Sequence, residues 1–196
     1  MYLMTMRATE TAKASLPGPR VWPLSVQAYH ALGEMGLIPE KTELLYGQVF
    51  HKMPKSPLHR LLSMRLLEHL RRALPPGLHV QQEQPITCRD SEPEPDLSVV
   101  RGSIEDYPAQ HPPTAELVIE VCVTSHDYDR SKLRAYALAG IKEVWLVLAP
   151  EKQVEVHRQP AGEQSGLKTL NGPGGNLASA VLPEFQIELD TLFRGS

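Results

Sequence analysis

Two acids lie in apolar surroundings where a carboxylate is expensive. Asp96 opens the run Asp96-Leu-Ser-Val-Val100, Glu120 interrupts Leu117-Val-Ile-Glu120-Val121, and Lys132 follows shortly after. Two carboxylates on adjacent strands with an ammonium nearby are the parts needed to hold Mg²⁺ against a phosphodiester and hydrolyse it. Asp96 at a strand start is affordable only if it is exposed there or bound to a cation. Glu120 is the more informative, because the residues on both sides of it read as a strand buried on both faces, so a metal or a lysine is expected to compensate it. A structural ion pair with a core arginine is the alternative at this residue.

The elements that must position these groups follow from the pattern. Ser25 can cap a short helix running through Met35 and ended by Gly36, and Leu44 to Phe50 has the alternation of a strand. Ser56 as N-cap and Pro57 in the first helical position open an amphipathic helix in which Leu58, Leu62, Leu66, Leu70 and Leu74 recur every four residues. Strands are predicted around 78–87, 96–101 and 116–123, a helix from about Arg130 to Ala139, and two further strands at 144–148 and 154–156 across a Pro150-Glu151-Lys152 turn. Gly172-Pro-Gly-Gly-Asn176 reads as a loop. This order predicts an α/β fold, a mixed sheet flanked by helices in a single domain over 21–196, preceded by a flexible lead-in at 1–20.

Composition narrows the class. A chain of 196 residues that is 41% hydrophobic can bury one substantial core. The formal charge of -3 excludes a protein that coats itself with nucleic acid, so any such partner must be held by a local basic face and by metal. Lys52, Lys55, Arg60, Arg65, Arg71 and Arg72 are the candidates for contacts to a phosphate backbone. Cys88 and Cys122 are the only cysteines, and they read as small buried hydrophobes in a reducing cytosol, which makes a cytoplasmic location the expectation. No apolar stretch has the length of a signal peptide or a membrane span.

Glu-Pro-Asp96, Leu-Val-Ile-Glu120-Val, Tyr128-Asp129, Lys132, Tyr136-Ala137 and Ala139-Gly-Ile-Lys-Glu-Val-Trp145, in this order and spacing, resemble the Uma-two type of endonuclease. The likeness extends upstream to Glu43-Leu-Leu-Tyr-Gly47 and the helix bearing His59, and downstream to Leu182-Pro-Glu-Phe185 and Leu192-Phe193. It implies a restriction-endonuclease-like fold of the PD-(D/E)xK superfamily, hydrolysis of phosphodiester bonds in nucleic acid, DNA being the expected substrate, and Mg²⁺ or Mn²⁺ as cofactor. Asp96 and Glu120 would then be metal ligands and catalytic, joined by the carbonyl of Val121 and by Glu43. The lysine usual two residues after the strand glutamate is Cys122 here, and the resemblance assigns its role to Lys132. His59 would meet a phosphate or support a ligand, and Tyr136 would orient the lysine. A homodimer is expected on the ground that two sites could address two strands. Val123, Ala149 and the short spacing from Asp129 to Lys132 depart from the family pattern, and they point to the alternative of a catalytically degenerate module of the same fold that binds nucleic acid or a protein.

Overall fold

Apolar residues every third and fourth position drive the helices, and buried β-branched runs drive the sheet. The computed structural model describes residues 20–195. The expected lead-in at 1–20 lies outside the described residues apart from Arg20. In chain order the elements are α1 (Val26–Glu34), β1 (Thr42–Leu45), β2 (Gln48–His51), α2 (Pro57–Ala73), β3 (Leu78–Gln82), β4 (Leu97–Arg101), β5 (Leu117–Cys122), α3 (His126–Leu138), β6 (Glu143–Leu148), β7 (Gln153–Ala161), β8 (Gln164–Asn171), β9 (Asn176–Ala178), β10 (Gln186–Glu188) and α4 (Leu189–Leu192), with a 3₁₀ turn at Ile104–Asp106.

Six strands form the central sheet in the order β3-β4-β5-β6-β7-β8. All neighbours are antiparallel except β5 and β6, which run parallel. A parallel pair needs a crossover, and α3 supplies it. Odd residues of β5 (Leu117, Ile119, Val121) pack into a core with Leu62, Leu66 and Leu70 of α2 and with Trp145 and Phe185, whose rings stack at 4.9 Å. Even residues Val118 and Cys122 join a second core with Ala135 and Tyr136 of α3 and with Leu146. Glu120 therefore shares the strand face covered by α3.

Three expectations are corrected. The single strand at 44–50 is a hairpin, because Tyr46 (φ 53) and Gly47 (φ 74) form a two-residue turn with Leu45 opposite Gln48. A side chain at Gly47 would place its Cβ 2.3 Å from that of Pro23, so the close approach of the chain before α1 demands glycine as well. The strand expected to reach residue 87 stops at Gln82, where Glu83 turns out of the sheet with φ 53. α3 begins at His126, four residues before the predicted start, and this earlier start brings Asp129 and Lys132 onto one helix.

Candidate active site

β4 and β5 bring the two strand acids level. Their register pairs Leu97 with Ile119, which carries Asp96, one residue before β4, opposite Glu120. Beyond this point the strands part, and the backbone N–H of Val121 donates to Asp96 Oδ2 at 2.7 Å in place of a ladder bond. His59 Nε2 donates to the same oxygen at 2.9 Å, and Lys55 Nζ donates to Oδ1 at 2.8 Å. Burial pushes the Asp96 carboxyl up, but His59 and Lys55 outweigh it and hold the group at about 2. His59 is presented by the first turn of α2, where Ser56 Oγ accepts from its backbone N–H at 3.2 Å.

Glu120 is 2% exposed. Tyr136, one turn beyond Lys132 on α3, donates its hydroxyl to Glu120 Oε1 at 2.5 Å. Lys132 Nζ lies 3.3 Å from the same oxygen, 3.2 Å from Glu43 Oε1 and 3.8 Å from Asp129 Oδ1. One ammonium thus faces three carboxylates. Burial pushes Glu120 up to about 8, with the charge of Lys132 opposing the shift and those of Asp96, Asp129 and Glu43 adding to it. Burial alone would lower Lys132, but Glu120, Glu43 and Asp129 together raise it well above its ordinary value, so it stays charged. Burial also raises Asp129 against the opposing charge of Lys132, and its Oδ2 accepts from the Ser125 hydroxyl at 2.7 Å.

Glu43 reaches this cluster from β1. Its Oε2 accepts from the backbone N–H of Glu94 at 3.0 Å, and its Oε1 accepts from the Tyr128 hydroxyl at 2.9 Å. Both oxygens are engaged, and Lys132 also stands over the Tyr128 ring at 5.2 Å from its centroid. Together these groups line a cleft of about 120 Å³, bordered by Lys52, Lys55, His59, Asp96, Glu120, Val121 and Lys132 among others.

The structure brings Asp96, Glu120, Lys132, Val121, Glu43 and His59 to one cleft, with Tyr136 directly behind Glu120. The sequence shows Asp129 only as part of the family pattern, with no role at the site, and gives no sign of the hold of Lys55 on Asp96. The i, i+3 spacing of Asp129 and Lys132 on a helix was a usable signal for the first. The second depends on a loop meeting a strand end, which no local pattern announces. Of the basic residues, Arg65 spends its guanidinium on the carbonyls of Leu192 and Arg194, both at 2.8 Å, and Arg72 pairs with Glu68, so these two serve the helix and the C-terminal segment. Cys122 is fully buried and its thiol is raised by burial.

A family model described as "Putative restriction endonuclease", Uma2, matches residues 27–190. The chain belongs to the Uma2 family. A crystal structure from Anabaena variabilis, described as that of "a putative nuclease belonging to DUF820", shares the fold of this Uma2 chain with a TM-score of 0.71 at 18% identity, over 83% of this chain and 96% of the other. No curated protein matches. The family and the fold are thus those of nuclease-like proteins, on a single α/β domain. Among the described residues no helix is long and apolar enough to cross a membrane.

Proposed function

We propose that this protein is a metal-dependent endonuclease acting on DNA, with Asp96, Glu120 and Lys132 as its catalytic residues. The observation that carries the reading is the meeting of Lys132 with Glu120 at 3.3 Å, beside Asp96 held level with Glu120 by the Val121 N–H. A buried lysine beside two strand acids can supply the oxygen ligands and the positive charge that metal-assisted phosphodiester hydrolysis uses.

The donor set suits a hard divalent cation. Among the described residues no three His, Cys, Asp or Glu side chains form a ready cage. Mg²⁺ does not need one, since it is held by one or two carboxylates, waters and substrate phosphates. Asp96 and Glu120 would hold Mg²⁺ or Mn²⁺, with the Val121 carbonyl as a third oxygen. In an extended strand the N–H and C=O of one residue leave the same edge, and the Val121 N–H already faces Asp96. When bound, the cation supplies Lewis acidity toward the phosphoryl oxygen and acidifies a bound water.

The chain's own residues do the rest. Lys132 offsets the charge that builds on the phosphorane-like transition state and positions the attacking water. Glu43 and Asp129 hold the ammonium in place, so the ligand role expected of Glu43 gives way to orienting Lys132. Tyr136 fixes the Glu120 carboxyl, and His59 fixes that of Asp96. Arg60 and the lysines of the cleft rim contact the nucleic-acid backbone, and two copies of the chain pair to address both strands in the cytoplasm.

The test is cleavage of supercoiled plasmid DNA with Mg²⁺ or Mn²⁺. Nicking and linearisation by wild type, lost together in Asp96→Ala, Glu120→Ala and Lys132→Ala, is the expected result, and cleavage that survives all three substitutions would overturn the assignment. The engagement of both Asp96 oxygens by Lys55 and His59, and of Glu120 Oε1 by Tyr136 and Lys132, favours one other reading, a non-catalytic module that binds nucleic acid or a protein through the same cleft. That reading requires that Mn²⁺ fail to bind at Asp96 and Glu120.

A further inference from the structure

Lys55 is not where a residue kept for substrate alone would sit. It belongs to the segment Lys52-Met-Pro-Lys-Ser56 between β2 and α2, and its ammonium bridges two acids, Asp96 Oδ1 at 2.8 Å and Glu83 Oε1 at 2.9 Å. Asp96 lies inside the cleft and is 7% exposed. Glu83 stands at its rim, in the left-handed backbone conformation that ends β3, with its N–H donating to the Asp96 carbonyl at 3.1 Å. Two acceptors, one inside and one outside, are therefore tied to the same point of the backbone. The lysine stem also has room to swing, because Lys55 borders three adjoining cavities: the acid cleft, a groove of about 350 Å³ with Gln82 and Glu83, and another of about 440 Å³ with Lys41 and Glu94.

We infer that Lys55 is a resident counter-ion that occupies the divalent-cation seat on Asp96 in the metal-free protein, and that it yields Asp96 to the incoming cation while keeping its hold on Glu83. The inference rests on the metal-dependent reading above. No covalent bond is made or broken in the exchange: Asp96 Oδ1 gives up its hydrogen bond from the Lys55 ammonium and takes the divalent ion, and the displaced ammonium remains paired with Glu83 at the rim. The neighbouring Lys52 differs, since it is paired with Glu94 and does not touch Asp96. His59 keeps Asp96 Oδ2 throughout, so the carboxylate stays aimed while its other oxygen changes partner. Lys55 is accordingly a positioning residue that sets how strongly the site takes up metal.

Isothermal titration of the full chain with Mn²⁺ near neutral pH tests the exchange without reference to turnover. Removing a competing ammonium should tighten Mn²⁺ binding in Lys55→Met and Lys55→Gln by roughly ten- to a hundredfold, the range of one charge-assisted hydrogen bond. Lys55→Arg keeps the charge and should stay within about threefold of wild type. Adding Asp96→Asn to Lys55→Met should abolish the gain. A merely structural lysine would leave the affinity unchanged or weaken it, so a cooperatively melting Lys55→Met or Lys55→Gln protein that binds Mn²⁺ no tighter than wild type would overturn the inference while leaving the metal reading intact. Absence of Mn²⁺ binding in wild type and both variants would remove the metal reading itself, and this inference with it.

Discussion

The backbone N–H of Val121 and the carboxylate of Asp96 meet at 2.7 Å, and this one bond joins the two strands where their ladder ends. Asp96 is thereby a structural acceptor as well as a candidate ligand, and the two roles separate on substitution. Asp96→Ala leaves the Val121 N–H and the His59 ring without their acceptor and should cost about 1–3 kcal/mol in urea denaturation. Asp96→Asn retains an acceptor oxygen and should cost less. Both should lower plasmid cleavage by a hundredfold or more, on the order of losing a main electrostatic contact in the transition state. Equal stability of the two variants would mean that the Asp96–Val121 bond contributes nothing to the join.

Lys132 and Cys122 can be ranked against each other. Lys132→Met removes the charge from among three carboxylates, so it should destabilise by about 3–5 kcal/mol near pH 8, where an uncompensated buried charge is most costly. At pH 5 the loss should shrink, because protons can replace the ammonium. Cys122→Ser keeps the size of a group that carries no charge, and should leave cleavage near wild type. A Cys122→Ser protein that lost activity while Lys132→Met kept it would reverse the assignment.

Stability should depend on pH through Glu120. Burial moves its carboxyl from an ordinary 4.5 up to about 8, so between these values the folded chain retains a proton that the unfolded chain has released. Stability of the metal-free protein from this group therefore falls as pH rises across that window. Glu120→Gln should flatten the decline, seen as urea midpoints that differ less between pH 5 and pH 8 than in wild type. Asp96 acts in the opposite sense: its carboxyl is lowered from 3.8 to about 2, and the stability it contributes is lost only as pH falls through that range.

Mn²⁺ should raise the melting temperature of wild type near neutral pH by mass action, since the unfolded chain has no comparable site. The Asp96→Asn, Glu120→Gln double variant should respond much less. Equal shifts in scanning calorimetry would place the cation elsewhere on the chain.

Both thiols should resist reaction. Cys88 is pushed up to about 12 by burial and by the charges of Asp90 and Glu92, and Cys122 is raised by burial in the second core. Native protein should show no rapid colour with Ellman's reagent, and two thiols after denaturation. Rapid labelling of either in the folded state would contradict the packing around it.

Most of the framework was legible in the sequence, for physical reasons that differ by element. α2 announced itself through its leucine period and its Ser56-Pro57 start, and β4, β5 and β6 through apolar runs too short for helices. The strand β8 was missed because an edge strand such as Gln164–Asn171, exposed along most of its length, needs no apolar alternation. β9, β10 and α4 are three or four residues each, below the length at which a period can be read. The early start of α3 was hidden because His126-Asp-Tyr-Asp129 is polar and the Ser125 side chain makes no capping bond. Asp96 and Glu120 stood out because acids inside apolar strands demand an explanation. The partners Lys55 and Asp129 did not, because charged residues on loops and helix faces are ordinary until the fold shows what they touch.

The placement of Lys132 on a crossover helix has a consequence for how the protein fails. A lysine on the same strand as its glutamate would stay aligned for as long as the sheet survived. Here the ammonium arrives from α3, whose first turn has no side-chain cap and which is held by Ala135 and Tyr136 in the second core and by polar pairs of Tyr128 and Lys132 with Glu43, Arg130 with Glu155 and Arg134 with Glu163. Partial opening of this one segment would disconnect the cation from Glu120 while β4, β5 and α2 stayed folded. Amide hydrogens in the first turns of α3 should then exchange ahead of those of the central strands, and mild denaturant should silence the site before the sheet melts. Native-state hydrogen exchange across a low urea series would reveal that order.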